Sequence, residues 1–499
     1  MNTTPTTIRC FVHKADRRDA HHVGCFSEAV RETAIAHAYL RPEMRVADVG
    51  CGAGFLTEGL APLVEKVYAL DSSTALLQEA RRNLAAFANI IYLATDGNTL
   101  PLEDASVEAV LAHMYLHHCP DPAAAIREMT RILRPGGRLI IADLDRHPHE
   151  WLRAELADAW PGFVRGEVKE WLRAAGLVNV YVADTGQSCY AESQEQDTTS
   201  RAEIGIFVAT GTRRVAGVRE AVQANYGALA GSVASCCSTA PALEPPASTA
   251  FAATIALTPA CCSAPTAASC CSPSNAMPLV AAAPSPTDVV WETGYTPEQL
   301  AAAPAPAAGL ALGCGNPTAL ASLQPGETVL DIGSGAGIDA FFAAQRVGPN
   351  GRVIGLDMTP AMIERARQAA AEAGLHNVEF RLGQAEAMPV ADTSVDVIMS
   401  NCVINLCEDK GRVFEEAYRV LKAGGRLAIS DMVTDGPLPL ALRSDPGAWA
   451  GCISGALPER EYLDLVRAAG FREVQAQRSL SGGRVAGVAV YSLSVTARK

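Results

Sequence analysis

The chain contains its own fold twice. VADVGCGAGF (46–55) returns as VLDIGSGAGI (329–338), and VYALDSSTALLQEARR (67–82) as VIGLDMTPAMIERARQ (353–368). LPLEDASVEAVL (100–111) returns as MPVADTSVDVIM (388–399), and RILRPGGRLIIADL (131–144) as RVLKAGGRLAISDM (419–432). WLRAAGL (171–177) and LVRAAGF (465–471) close the two copies. Matching blocks in one order define a duplicated domain. A length of 499 residues fits that reading, since single cores rarely grow past about 250–300 residues.

Each copy alternates short apolar runs with helical patterns. In the second, TVLDIG, RVIGLDM, VDVIMSN and GRLAISDM read as strands, separated by the helical stretches AGIDAFFAAQRV, PAMIERARQAAAEAG and KGRVFEEAYRVL. Continuously apolar strands alternating with helices predict an α/β fold whose mostly parallel sheet is covered on both faces. The expected division is a first domain over 1–212, a helical lead-in and linker over 213–290, and a second domain over 291–499. The linker is rich in Ala, Pro, Ser and Thr, nearly uncharged, and lacks the pattern of a core. It nevertheless carries cysteine pairs at 236/237, 261/262 and 270/271.

A formal net charge of −13 argues against a nucleic-acid groove, which needs a basic face, and against docking on anionic membranes. No apolar run reaches the roughly 18 residues that span a bilayer, and MNTTPTTIRCFVHKADRRDA lacks the apolar core of a secretory signal. A cytoplasmic protein is the expectation. Its 15 cysteines then read as free thiols or metal ligands.

Asp331-Ile-Gly-Ser-Gly-Ala-Gly337 follows a strand and opens a helix, where glycines give a tight turn and let a ligand approach the helix N-terminus. The spacing is G-x-G-x-G, not the G-x-G-x-x-G of dinucleotide sites. Asp331 precedes the glycines, and Asp357 ends the next strand, where a carboxylate can accept both hydroxyls of a ribose. This set resembles the class I S-adenosylmethionine (SAM) methyltransferases. The resemblance implies two Rossmann-like, mostly parallel seven-stranded sheets, with SAM held by Asp331, Gly333, Gly335, Gly337 and Asp357. The first copy offers Asp48, Gly50, Gly52, Gly54 and Asp71 in the same places, with cofactor binding expected more of the second copy. A sulfonium cation also suits an acidic pocket better than a pyrophosphate would.

The copies part at the substrate end. Ala112-His113-Met114-Tyr115 stands opposite Ser400-Asn401-Cys402-Val403, so Met114 replaces Cys402. Cys314, in ALGCGNP, and Cys452, in GCISGAL, have no counterpart in the first copy. Strand ends and pre-strand loops form the ligand-binding edge of such sheets, so three thiols can converge above a methyl donor. Taken singly, each is as well read as a small core residue. Taken together, three soft ligands select a soft centre. Zinc would want a fourth ligand and has nothing to methylate. Trivalent arsenic binds three thiolates in a pyramid and keeps a lone pair for a methyl cation, so the site contributes mainly orientation.

ALGCGNPTALASLQPGETVLDIGSGAGID, SNCVINLCEDKGRVFEEAYRVLK and GCISGAL resemble the arsenite SAM methyltransferases of microbes, over residues 215–499. That resemblance implies an enzyme of arsenic detoxification in which Cys314, Cys402 and Cys452 bind As(III), as arsenite or methylarsenite. It implies that Met358, Ala385, Glu386 and Asn401 complete the SAM pocket. It further implies an upstream cysteine that pairs with Cys314 during turnover, with Cys237 or its neighbour Cys236 preferred, and thioredoxin or glutathione as thiol reductant. Depressed thiol pKa values are expected there. Cys407 is read as an extra surface thiol. Two alternatives stay open: a thiol-based arsenic- or zinc-binding sequestration protein on a methyltransferase scaffold, and a methyltransferase for an organic small molecule. Against the latter, NCVINL offers no obvious general base.

Residues 1–212 resemble the superfamily only generically. HMYLHHCP (113–120) gathers His113, His117, His118 and Cys119, which admits a metal site, although ordinary loop residues are the preferred reading. DRHPHEWLRAELADAWPGF (145–163) supplies aromatics for a pocket or a core. Cys51, Cys119 and Cys189 can converge, but nothing in their spacing requires it. This half is either a second methyltransferase or a degenerate docking and regulatory domain.

Overall fold

The repeated blocks fold into two sheets of one topology. The computed structural model describes residues 25–97, 99–152, 158–192, 201–232, 294–296, 299, 304, 307, 310 and 313–499. In the first half, β1 (Arg45–Val49), β2 (Lys66–Asp71), β3 (Ile90–Ala94), β4 (Val107–His113), β5 (Leu133–Leu144), β6 (Leu177–Glu192) and β7 (Arg201–Arg213) lie in the order β3-β2-β1-β4-β5-β7-β6. The second half has β8 (Thr328–Ile332), β9 (Arg352–Asp357), β10 (Val378–Leu382), β11 (Val395–Asn401), β12 (Leu421–Thr434), β13 (Leu457–Pro458), β14 (Arg472–Val485) and β15 (Val488–Arg498). Their order is β10-β9-β8-β11-β12-β15-β14. The short β13 pairs with β12, so this sheet has eight strands where seven were expected.

Pairings among the first five strands of each half are parallel, and β7 and β15 enter antiparallel. The central strands are buried along their length because helices cover both faces; β4 is buried at every residue. Order reverses between β1 and β4, and between β8 and β11, which opens a crevice at the strands' carboxyl ends. The glycine loops and the strand-end residues of both copies stand at that crevice.

The halves pack on each other through buried polar contacts. Arg138 Nη1 meets Glu461 Oε1 at 2.5 Å, with the two side chains 3% and 1% exposed. Asn179 and Asp409 interlock: Asp409 Oδ1 accepts from Asn179 N at 3.1 Å, and Asn179 Oδ1 accepts from Lys410 N at 2.8 Å. Tyr181 of the first half lies in the core of the second, with Phe414 and Tyr462. The helix Val218–Ser232 also packs on the second half, setting Val218 and Val222 against Leu406 and Trp449.

One expectation about thiols is corrected. Cys25 and Cys189 are joined as a disulfide, 164 residues apart in sequence, so not all cysteines are free. Cys51, Cys119 and Cys189 do not converge: Cys51 packs on Ala69 and Leu77, while Cys119 Sγ donates to Tyr115 O at 3.6 Å. Among the described residues, no helix is long and apolar enough to cross a membrane.

Candidate active site

β8 ends at Ile332, and the chain turns through Gly333, Gly335 and Gly337, all at positive φ (70°, 52° and 97°), into the helix Ile338–Val347. Gly333 is required twice over. Its φ is left-handed, and a Cβ there would stand 2.3 Å from Val403 Cγ2. Asp357, at the end of β9, fixes the loop from the other side: Oδ2 accepts from Gly335 N at 2.9 Å and Oδ1 from Thr359 N at 2.8 Å. The loop and Asp357 wall an open cavity with about 1080 Å³ of free space counting its mouth. Met358, Ala385, Glu386, Asn401 and Cys402 line the same cavity. Asp331 and Gly337 stand behind the lining.

The carboxylates make this an acidic site. Asp331 is 2% exposed, and its Oδ2 has no hydrogen-bond partner among the described residues. Burial, with Asp339 and Asp357 nearby, pushes its pKa well above the ordinary range. A buried acid held up by desolvation and like charges is relieved by a bound cation, so the site fits a sulfonium cofactor.

Asn401 performs a task that spacing did not suggest. Its Oδ1 accepts from Gly315 N at 3.2 Å, and its Nδ2 donates to Gly315 O at 2.9 Å. One side chain thus pins the loop carrying Cys314 to the strand end carrying Cys402. Nδ2 also reaches Tyr295 Oη at 2.9 Å and Asp339 Oδ2 at 3.2 Å, while Tyr295 donates to Asp339 at 2.7 Å. Tyr295 and Asp339 were both missed. Asp339 was findable, because Leu56 occupies its place in the first copy and an acid in an apolar helix start needs a reason.

The three thiols are together. Cys314, Cys402 and Cys452 share one apolar cluster with Met432, Leu438 and Ile453. Cys402 and Cys452 both hold left-handed backbone, φ 58° and 61°, which is uncommon outside glycine. Asn405 Nδ2 donates to Cys452 O at 2.7 Å, Cys452 Sγ lies 3.8 Å from Cys402 O, and Ser492 Oγ donates to Cys314 Sγ at 3.7 Å. Tyr226, from the helix Val218–Ser232, closes the group with its hydroxyl 3.6 Å from Cys452 Sγ.

The expectation of depressed thiol pKa values holds for Cys452 and is corrected for Cys402. Hydrogen bonds from the Cys402 thiol, and then from Tyr226, pull Cys452 below the usual thiol range. The two neighbouring thiols and burial push Cys402 well above it. Of the neighbouring Cys402 and Cys452, the first thiolate settles on Cys452, where a hydroxyl and a thiol point at it. Cys237 lies outside the described residues.

Two family models described as "Methyltransferase domain" match residues 323–470 and 47–141. An arsenite methyltransferase of Halobacterium salinarum is 52% identical over 182 residues, covering 36% of this chain and 46% of that protein. The human arsenite methyltransferase is 39% identical over 155 residues, 29% of this chain and 40% of that protein. The chain spans less than half the length of these relatives. A crystal structure of an arsenic(III) S-adenosylmethionine methyltransferase from Chlamydomonas reinhardtii is 37% identical, covers 40% of this chain and 72% of that one, and superposes with a TM-score of 0.37. The chain pairs two methyltransferase domains, the second homologous to the arsenite methyltransferases.

The other methyltransferase domain keeps the same cradle. Gly50, Gly52 and Gly54 have φ of 77°, 54° and 100°, and Tyr115 fills the place over Gly50 that Val403 takes over Gly333. Asp71 accepts from Gly52 N at 2.9 Å and Ser73 N at 2.8 Å, repeating Asp357. Asp48 is buried, accepts from Thr57 Oγ1 at 2.5 Å, and is pushed by burial up to about 7. At the substrate end the copies differ: His113, opposite Asn401, is buried against Phe26 and Phe55 with Nε2 at 2.9 Å from Cys25 O.

Proposed function

We propose that the protein methylates trivalent arsenic from SAM, with arsenic held by Cys314, Cys402 and Cys452. The supporting observation is that three thiols from three separate segments share one cluster at the rim of the cavity walled by the glycine loop. Arsenite enters as As(OH)₃. Each thiol displaces one hydroxide and gives it a proton, so three S–H and three As–O bonds become three As–S bonds and three waters. Cys452 begins the exchange, its thiol being pulled below the usual range while that of Cys402 is pushed above it, and Tyr226 donates to its thiolate. The bound trithiolate presents its lone pair towards the cavity.

SAM supplies an electrophilic methyl group when bound. Asp331, Gly333, Gly335, Gly337, Asp357, Met358, Ala385, Glu386 and Asn401 are the residues proposed to hold it, with Asp357 on the ribose. Asn401 acts in addition as a positioning residue, since it locks the Cys314 loop against β11. Asp48, Gly50, Gly52, Gly54 and Asp71 are proposed to hold a second SAM. The proposed units are 1–212, 213–290 and 291–499, with the helix Val218–Ser232 serving the second domain's cavity. Regeneration of the thiols by thioredoxin or glutathione, with Cys237 as the upstream partner, and a detoxifying role in the cytoplasm belong to the same proposal.

Mass spectrometry of arsenic products from the full chain, SAM, arsenite and a dithiol tests it. Methylated arsenic is expected from the unaltered chain and none from Cys402→Ser or Cys452→Ser, while both variants still bind SAM. Undiminished methylation by either variant would overturn the assignment.

A further inference from the structure

The HMYLHHCP segment lies in the copy without the three thiols, and its side chains are held in a defined arrangement. After β4 it makes the short turn Leu116–His118. Asp143, wholly buried near the end of β5, lies 2.6 Å from His117 Nδ1 and also accepts from Leu116 N at 2.8 Å. A proton on Nδ1 shared with this carboxylate puts the Nε2 lone pair of His117 towards Asp158, whose Oδ1 is 4.0 Å away. The same Oδ1 is 3.2 Å from His118 Nδ1. One donor atom from each of His117, His118 and Asp158 falls within a group no more than 4.8 Å across.

Two further observations point to a ligand. Asp158 is 6% exposed, and its Oδ1 accepts no aligned hydrogen bond among the described residues despite the short approach of His118. Leaving a buried carboxylate oxygen without an aligned donor is costly, and the ligand atoms of His117, His118 and Asp158 lie close enough together to share one centre. The backbone is braced for it: His117 O accepts from Ala159 N at 3.1 Å and Trp160 N at 3.0 Å, and Trp160 Nε1 donates to Cys119 O at 2.9 Å. The segment bearing Asp158 is thereby fastened to the turn bearing both histidines. Nearby, His147 is 7% exposed with Nε2 unpartnered among the described residues.

We propose that His117, His118 and Asp158 form a binding site for a borderline divalent cation, zinc(II) foremost, with Asp143 orienting His117. Ligand bonds of about 2.0–2.2 Å at tetrahedral or octahedral angles require donor separations of roughly 3–3.5 Å, which small side-chain rotations reach from the present positions. Two imidazoles and one carboxylate suit zinc and leave a fourth position open. A buried carboxylate behind a ligating histidine is the usual arrangement around such ions. The placement has a logic in the duplication. Asn405 and Leu406 stand where His117 and His118 do, and Asp431, the equal of Asp143, accepts from Asn405 N at 2.8 Å and Tyr462 Oη at 3.0 Å. The turn after the fourth strand and the segment after the fifth carry imidazoles and a carboxylate in one copy, and thiols in the other.

The test uses the full-length protein, stripped with a chelator and titrated with cobalt(II), then zinc(II). One equivalent of cobalt is expected with visible d–d bands but no thiolate charge-transfer band, because the ligands are nitrogen and oxygen; zinc should displace it. Asp158→Asn and His117→Ala should each weaken binding by at least about tenfold, and Asp143→Asn by about 10–100-fold. Asp158→Asn, nearly the same shape, serves where His117→Ala fails to fold by circular dichroism. Absence of binding, a signal carried only by thiolate bands, or affinity unchanged in Asp158→Asn would each overturn the proposal.

Discussion

Met114 and Cys402 occupy the same place in two copies of one fold. Both follow the fourth strand with left-handed backbone, φ 49° and 58°, and both donate their amide at 2.8 Å to the neighbouring strand, to Ala142 O and Ser430 O. The turn is therefore common to both copies, and its side chain is what differs between them. A thioether in one copy faces a thiol in the other. The comparison teaches that the frame supplies position while the donor set supplies selectivity.

The hardest blow to that comparison falls on the thiol. Cys402→Ser removes a soft ligand from the proposed three-thiol centre, and arsenic methylation is expected to fall by at least about 100-fold, as mispositioned reactants do. Met114→Ser leaves the arsenic products unchanged. Product analysis of both variants checks the pair, and equal losses would break the contrast between the copies.

Next comes Arg138, whose partner Glu461 belongs to the other half. Its counterpart Arg426 pairs with Glu327 inside its own half at 2.6 Å, and that pair is 22% and 17% exposed. Arg138→Met strands a buried carboxylate and should cost about 3–5 kcal/mol. Arg426→Met breaks a wetter pair and should cost about 1 kcal/mol. Urea unfolding of the full chain measures both, and a small loss at Arg138 would mean that the two halves are not joined through this pair.

Asp357→Asn sharpens the comparison of cradles. Losing charge from a group that accepts two backbone amides, and is proposed to take the ribose, should weaken SAM by roughly 10–150-fold, the scale of about 1.5–3 kcal/mol. Calorimetry with SAM reads this directly. Arsenic methylation that falls with Asp357→Asn but not with Asp71→Asn assigns the chemistry to the second half.

Tyr226→Phe acts through a proton. The Tyr226 hydroxyl helps to hold Cys452 below the ordinary thiol range, so its removal raises that pKa. The thiolate present in the unaltered protein at lower pH then needs higher pH to form. The pH profile of Cys452 alkylation should move upward, with methylation at neutral pH falling by roughly two- to tenfold, as loss of one hydrogen bond allows. A profile that stays in place would remove Tyr226 from the site.

Much of this was legible because the chain carries its own control. Subtracting one copy from the other isolates Cys314, Cys402 and Cys452, and the shared residues point to the strand–helix alternation and both glycine loops. What stayed hidden depends on distance in sequence. Tyr226 and Tyr295 reach the site from outside the repeated blocks. Cys25 meets Cys189 across 164 residues. His117 and His118 were visible as a pair, but Asp158 sits forty residues on, and it is brought back by Ala159 and Trp160 bonding to the turn.

Cys407 gives the smallest expected effect and tests the logic most finely. The first copy has Cys119 at that place, and each thiol donates at 3.6 Å to the carbonyl four residues earlier, Val403 O or Tyr115 O. Burial pushes Cys119 up to about 11 and Cys407 well above the usual range, so both stay protonated at neutral pH. A thiol shared by a copy with the arsenic thiols and a copy without them belongs to the turn. Cys407→Ala and Cys119→Ala should each cost about 1 kcal/mol or less, the worth of one weak hydrogen bond. Methylation should persist in both, and iodoacetamide at neutral pH should label Cys452 well before either. Loss of arsenic methylation in Cys407→Ala would add a fourth thiol to the site and end the equivalence of the two turns.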